Sequence, residues 1–243
     1  MKILVVGATG QTGRLLVEQL LLRGKEVLAV IREKDRIPEK LRRHENLQLI
    51  EGSVLSFSDE QLAPLANGCD AVASCLGHNL SFRGIFGQPR RLVTDTLKRL
   101  ATAIEAKEPD PPIKFVLMNT TGNRNRDLNE PVSLAQKFIV TLIRLLLPPH
   151  ADNEDAADYL RTEIGQESKV IRWVVVRPDG LIHENEISEF ETHPSPTRSA
   201  IFNPGKTSRI NVACFMADLL TNPDNWAKWE GRMPVLYNGD QKS

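Results

Sequence analysis

Gly7, Gly10 and Gly13 recur every third residue in the segment Gly-Ala-Thr-Gly-Gln-Thr-Gly, directly after the apolar run of residues 3–6 and directly before an amphipathic run over 14–23. A glycine-rich turn that opens a helix does its chemistry with backbone, presenting unpaired amides and the positive end of the helix dipole to a phosphate. Gly7 serves the tight turn out of the strand, Gly10 leaves room where a pyrophosphate meets the backbone, and Gly13 lets the helix lie close to the sheet. A second feature selects the nucleotide. At about 20 residues beyond the glycines a carboxylate favours NAD, whereas a nearby arginine accommodates the 2′-phosphate of NADP. The apolar strand over 26–31 runs out into Arg32, with Lys34 and Arg36 behind it and Glu33 and Asp35 interleaved. NADP is therefore the expected cofactor, with NAD the alternative.

The elements that must position these residues follow from the pattern of the chain. Short apolar runs over 47–51, 70–76, 113–119, 171–176 and 234–238 continue the series begun by the first two strands. Helical periodicity recurs between them over 59–66, 88–107, 132–147, 155–164 and 212–220. Parallel neighbours need crossovers, so this alternation predicts a Rossmann-like, doubly wound, mainly parallel sheet of seven strands flanked by helices. A chain of 243 residues suits one such domain and is short for two. Ligands of open α/β sheets bind beyond the carboxyl ends of the strands. The irregular stretches over 78–87 and about 181–210 are thus placed to meet cofactor and substrate, the second as a substrate-covering region.

Composition excludes several classes. Thirty-one basic and 31 acidic residues give no net charge, so neither nucleic acid nor an anionic membrane is an expected partner. The longest apolar stretch, 138–147, contains Arg144 and stops at Pro148, too short to span a bilayer. With the first strand starting at Lys2, no leader is expected, and Cys69, Cys75 and Cys214 lack metal-ligand spacing. They read as reduced thiols of a cytoplasmic protein that binds no metal. The apolar 138–147 helix, with Trp226 and Trp229, offers either core packing or the interface of a homodimer.

These pieces resemble the atypical short-chain dehydrogenase/reductase superfamily, specifically its NAD(P)H-binding, NmrA-like and flavin-reductase-like branches. The resemblance is carried by the glycine turn, Arg32, Asp70-Ala-Val-Ala-Ser-Cys-Leu-Gly77, Asn119-Thr-Thr-Gly122, Val174-Val-Val-Arg-Pro-Asp-Gly180 and Ser208-Arg-Ile-Asn-Val-Ala-Cys-Phe-Met216. It implies that Gly7, Thr9, Gly10, Gln11 and Thr12, supported by Gly13, surround the pyrophosphate, with Arg32 at the 2′-phosphate. It further implies Ser53 and Val54 at the adenine, Leu76 and Gly77 along the nicotinamide ribose, and Asn119, Pro178, Asp179 and Gly180 near the nicotinamide. Ser53 departs from the acidic residue usual after the preceding glycine.

A larger departure concerns the proton. Typical members use Tyr-x-x-x-Lys, in which the lysine charge lowers the tyrosine pKa. Here the residue four beyond Tyr159 is Glu163, and four beyond Tyr237 is Gln241. Asn119, Thr120 and Thr121 leave the fifth strand at the position of the substrate-orienting serine, and Thr120 is expected to hydrogen-bond the acceptor; the candidates for proton transfer are His183, just after Asp179-Gly-Leu-Ile at the expected nicotinamide end, and His150. Lys137 and Tyr159 fall near the position of the lost pair without a spacing that couples them. The expected function is an NADP(H)-dependent oxidoreductase acting on a small carbonyl, quinone or flavin-like acceptor. The alternatives are a redox sensor that binds NADP(H) for a protein partner, or a nucleotide-dependent isomerase or dehydratase.

Overall fold

A computed structural model describes residues 1–78, 85–128, 130, 139, 142, 144 and 146–239. Most of the helix expected over 132–147, Lys137 with it, and residues 79–84 of the loop after the fourth strand lie outside the described residues.

Strand β1 (Lys2–Val6) lies at the centre of the sheet, paired in parallel with β2 (Glu26–Ile31) on one side and β4 (Ala71–Ser74) on the other, so that Leu4 aligns with both Leu28 and Val72. Beyond them come β3 (Leu47–Glu51), β5 (Ile113–Met118) and β6 (Ile171–Pro178), all parallel. Three short strands follow: β7 (Gly180–Ile182), β8 (Phe190–His193) and β9 (Lys206–Ser208), before β10 (Val235–Asn238) closes the series. The main sheet has the order β3-β2-β1-β4-β5-β6-β10-β8. The winding reverses between β1 and β4, which opens a crevice at their carboxyl ends.

All seven expected strands form, and β8 adds an eighth, antiparallel to β10 at the edge. β7 and β9 pair separately in a small parallel sheet. The region around 181–210 is therefore a structured strap, and its strands of three or four residues are too short to show a period in sequence.

Successive strand residues face opposite sides, and each side has its own core. Ile3 and Val5 pack with Leu16 and Leu20 of α1 (Gln11–Leu22), Phe215 of α6 (Arg209–Thr221), and Trp226 and Trp229 of α7 (Pro223–Trp229). Leu4 and Val6 pack on the opposite side with Leu62 of α3 (Asp59–Asn67), Leu97 and Leu100 of α4 (Leu92–Glu105), and Ala156 of α5 (Pro148–Asp158). A four-residue α2 (Glu39–Arg42) precedes β3. Both C-terminal tryptophans are buried, so of the two uses open to them core packing is the one realised. Among the described residues no helix is long and apolar enough to cross a membrane.

Helix α5 begins seven residues before the expected 155, and a π-helical turn continues it from Tyr159 to Ile164. Pro148 and Pro149 read as a stop in sequence, yet at the first positions of a helix their missing amides have no intrahelical partner to lose. Helix α4 has no side-chain cap of its own at Arg91. Asp152 of α5 supplies it, accepting hydrogen bonds from Val93 N at 2.8 Å and Thr94 N at 2.9 Å.

Candidate functional site

The glycine turn has little room for side chains. Gly7 has φ +80°, and a Cβ there would lie 2.6 Å from the Cys75 carbonyl carbon. A Cβ on Gly13 would lie 2.1 Å from Gly7 O, so the first turn of α1 rests directly on the strand exit. Gly10 is the N-cap of α1, donates its amide to Gly7 O at 3.0 Å and accepts the first helical bond from Arg14. It brings no capping side chain, and no acidic residue occupies the first turn. The amides of Gln11, Thr12 and Gly13 are thereby left to an anion.

Above this turn lies a cleft open to solvent. The turn contributes Val6, Gly7, Thr9 and Gly10; the exit of β3 contributes Gly52, Ser53 and Val54; and the exit of β4 contributes Cys75, Leu76 and Gly77. Arg32 and Arg36 line the end of the cleft beside β2, and Pro89, Leu92 and Thr96 cover it from the side of α4. The mixed charges after β2 sort themselves. Lys34 pairs with Glu51 at 3.3 Å and Asp35 with Arg42 at 3.0 Å, whereas Arg32 and Arg36 form no ion pair among the described residues. The Ser53–Val54 segment is pinned by Arg99, which donates to Val54 O at 2.7 Å and pairs with Asp59. The residues fit a dinucleotide: glycines where a Cβ would close the cradle, amides below without a capping side chain, and at the far end two guanidinium groups that form no ion pair among the described residues.

At the exits of β5 and β6 the backbone is tightly held. Asn119 is buried; its Oδ1 accepts from Thr120 N at 2.8 Å and its Nδ2 donates to Asn153 O at 2.9 Å. Thr121 N donates to Pro178 O, and the half-buried Thr120 accepts from Gly122 N at 3.3 Å through its hydroxyl. Asp179 orients the strap, accepting from Gly180 N and Gly205 N, both at 2.9 Å. His183 stands beyond β7, exposed, with no hydrogen bond or ion pair among the described residues to fix its ring. It does not line the cleft.

One cleft thus gathers Gly7, Thr9, Gly10, Arg32, Ser53, Val54, Leu76 and Gly77, with Gln11, Thr12 and Gly13 beneath it. Asn119, Thr120 and Pro178 form a second group at the neighbouring strand exits. The contributions of Leu92 and Thr96 had no signal in sequence, since only packing brings α4 over the cleft. Nor did the buried pair His78 Nε2–Asp152 Oδ2 at 2.8 Å, formed across 74 residues immediately after Gly77. Burial works against ionisation of Asp152, but hydrogen bonds from His78, Thr94 and Val93 outweigh it and hold the carboxyl below its ordinary 3.8. Burial pushes the Tyr159 phenol up, as do Glu105 and Glu163, the opposite of what a tyrosine acid needs.

A family model described as NAD(P)H-binding matches residues 7–223, which includes the cleft, the β5 exit and the strap. The chain belongs to this NAD(P)H-binding family. This NAD(P)H-binding protein is 39% identical over 82 residues to a chloroplastic divinyl chlorophyllide a 8-vinyl-reductase of Arabidopsis thaliana, covering 30% of the chain and 20% of the relative. It is 33% identical over 200 residues to an uncharacterised chloroplastic protein of the same plant, covering 81% of the chain and 65% of that protein. The chain therefore spans between about a fifth and two thirds of the length of these relatives. Among solved structures it superposes on a short-chain dehydrogenase/reductase from Veillonella parvula in complex with NADP, with TM-score 0.71 at 19% identity, covering 100% of this chain and 96% of that one. An anaerobillin reductase from Escherichia coli O157:H7 matches over 100% of both chains with TM-score 0.63 at 18% identity. The fold is shared with these solved structures, the Rossmann-like, doubly wound sheet that the sequence pattern predicts.

Proposed function

We propose that this protein is an NADP(H)-dependent oxidoreductase that reduces a small carbonyl, quinone or flavin-type acceptor. The observation that carries the choice of cofactor is the pair Arg32 and Arg36, both lining the cleft and neither in an ion pair among the described residues, which suits a 2′-phosphate. When bound, the reduced nicotinamide supplies hydride, and the protein supplies position and electrostatics. The amides of α1 hold the pyrophosphate, Ser53 and Val54 receive the adenine, and Leu76 and Gly77 direct the nicotinamide toward the β5 exit. Thr120 orients the acceptor, and the 181–210 strap covers it. A relative named as a reductase of divinyl chlorophyllide, similar over 30% of the chain, supports reduction over sensing.

Calorimetric titration with NADPH, NADP, NADH and NAD tests the reading in wild type, Arg32→Ala and Arg36→Ala. A charged hydrogen bond contributes about 1.5–3 kcal/mol, so each truncation should weaken NADPH binding by about tenfold or more while leaving NADH nearly unchanged. Equal affinity for NADH and NADPH in wild type removes the arginines from this role. NADPH binding without oxidation across a panel of quinones, flavins and aldehydes favours the sensor.

A further inference from the structure

The N-terminal half of α5 is a junction. Asn153 O holds the Asn119 side chain from the β5 exit, and Asp152 caps α4 and pairs with His78 from the β4 exit. His150 lies within one turn of both, so its backbone is fixed against the exits of β4 and β5; like Thr120, it stands beside the cleft and does not line it. A Cβ built on Gly122 would lie 3.2 Å from His150 Cε1 and 3.7 Å from Thr120 Oγ1. The imidazole edge and the threonine hydroxyl therefore meet at the same glycine.

The ring is also oriented. Among the described residues His150 Nε2 is buried without a hydrogen-bond partner and faces Glu154 Oε1 at 3.7 Å, one helical turn on. Glu154 in turn pairs with Arg144 at 3.1 Å. A carboxylate that faces one imidazole nitrogen sets which nitrogen carries the proton and turns the other outward. Such contacts are often long before the substrate complex forms.

We propose that His150, positioned by Glu154, exchanges the proton with the acceptor beside Thr120, in place of the missing tyrosine and lysine. The proposal rests on the reductase reading above. In reduction of a carbonyl-type acceptor, hydride from the reduced nicotinamide adds to the acceptor carbon and the C=O π pair moves to oxygen. The His150 N–H bond breaks as the new O–H bond forms. The acceptor gains two electrons, the dinucleotide is the species oxidised, and neutral His150 regains a proton from solvent. Burial lowers the His150 pKa below its ordinary 6.5; Glu154 opposes this and Arg144 adds to it. Reduction should accordingly slow as pH rises through that lowered value, because the imidazolium is the donor.

The test combines NMR of ¹³C-labelled histidine with kinetics, using NADPH and 9,10-phenanthrenequinone as probe. The His150 signal, assigned by its loss in His150→Gln, is expected to titrate below 6.5, to fall further in Glu154→Gln, and to shift when NADP is added. The turnover number for the quinone is expected to drop about 100-fold or more in His150→Gln, the range for a lost general acid, with NADPH affinity retained. Glu154→Gln should move the pH limb of turnover in step with the NMR titration, which a merely structural role would not do. A His150 signal that titrates at the ordinary value, identically in Glu154→Gln and indifferent to NADP, overturns the proposal even if the quinone is not reduced. So does wild-type turnover in His150→Gln. Calorimetry separates the two failures: wild type that binds no NADPH defeats the cofactor reading, whereas intact binding with either of these results defeats His150 alone.

Discussion

Arg177 offers the sharpest stability test, because its side chain is 0% exposed and its partner Glu130 only 3%. Its guanidinium donates to Met233 O at 2.7 Å, Asn123 O at 2.9 Å, Glu130 Oε1 at 2.7 Å and Oε2 at 3.2 Å, and Pro194 O at 3.3 Å. The one group thus ties β6 to the loop after β5, to the strap and to the segment entering β10. Arg177→Met leaves Glu130 buried with Asn125 N as its remaining hydrogen-bond donor among the described residues, and strands the Met233 and Asn123 carbonyls. Removing one partner of a buried pair costs about 3–5 kcal/mol, which for a chain of this size lowers Tm by roughly 6–20 °C. Replacing both partners, Arg177→Met with Glu130→Leu, removes the uncompensated charge and should recover about half of the loss or more. Urea unfolding followed by tryptophan fluorescence measures all four corners of the cycle. A single variant within about 1 kcal/mol of wild type, or a double variant whose loss is the sum of the two singles, would refute the clamp.

Two further predictions concern the site and its support. Gly13→Ala would bring a Cβ within 2.1 Å of Gly7 O, so α1 must move away; calorimetry should show NADPH binding weakened about tenfold or more, with a stability loss of about 1–3 kcal/mol in urea. Unchanged binding would mean that the free amides of α1 do not hold the pyrophosphate. Asp152 has a folded pKa held below 3.8, so its contribution is full above the unfolded value and is lost as pH falls through the folded one. Asp152→Asn should therefore destabilise at neutral pH by about 1–3 kcal/mol, and the difference from wild type should shrink on acidification; a constant difference in urea midpoints down to about pH 3 would contradict the assignment.

Much of the dinucleotide cleft was legible in the sequence because its determinants are local. A buried parallel strand is a continuous apolar run, a glycine turn is a short motif, and Arg32 follows the strand whose end it marks. Ser58 and Gln61 close a capping box at the start of α3, again within four residues, and that helix was placed correctly. Local pattern failed where the physics was long-range. Pro148 and Pro149 end a pattern or start a helix equally well, and only the docking of Asp152 onto α4 decides for the start. The strap strands β7, β8 and β9 take their pairing from β10 and from each other, so their three or four residues carry no period of their own.

The exits of β5 and β6 show the same division. Sequence alone determined the doubly wound sheet, the glycine turn and the absence of a tyrosine-lysine pair, since each is written in contiguous residue types. It also offered His150 and His183 and favoured His183 for its place just after Asp179-Gly-Leu-Ile, because a lone histidine has no local signature of its neighbours. Tertiary structure set them apart by bringing α5 against the β4 and β5 exits, which places His150 beside Gly122 and Glu154 while His183 stays in solvent. The same packing sorted the charges after β2, pairing Lys34 and Asp35 elsewhere and leaving Arg32 and Arg36 to the cleft. Which charges cancel depends on distances between segments far apart in the chain, and those distances exist only once the chain has folded.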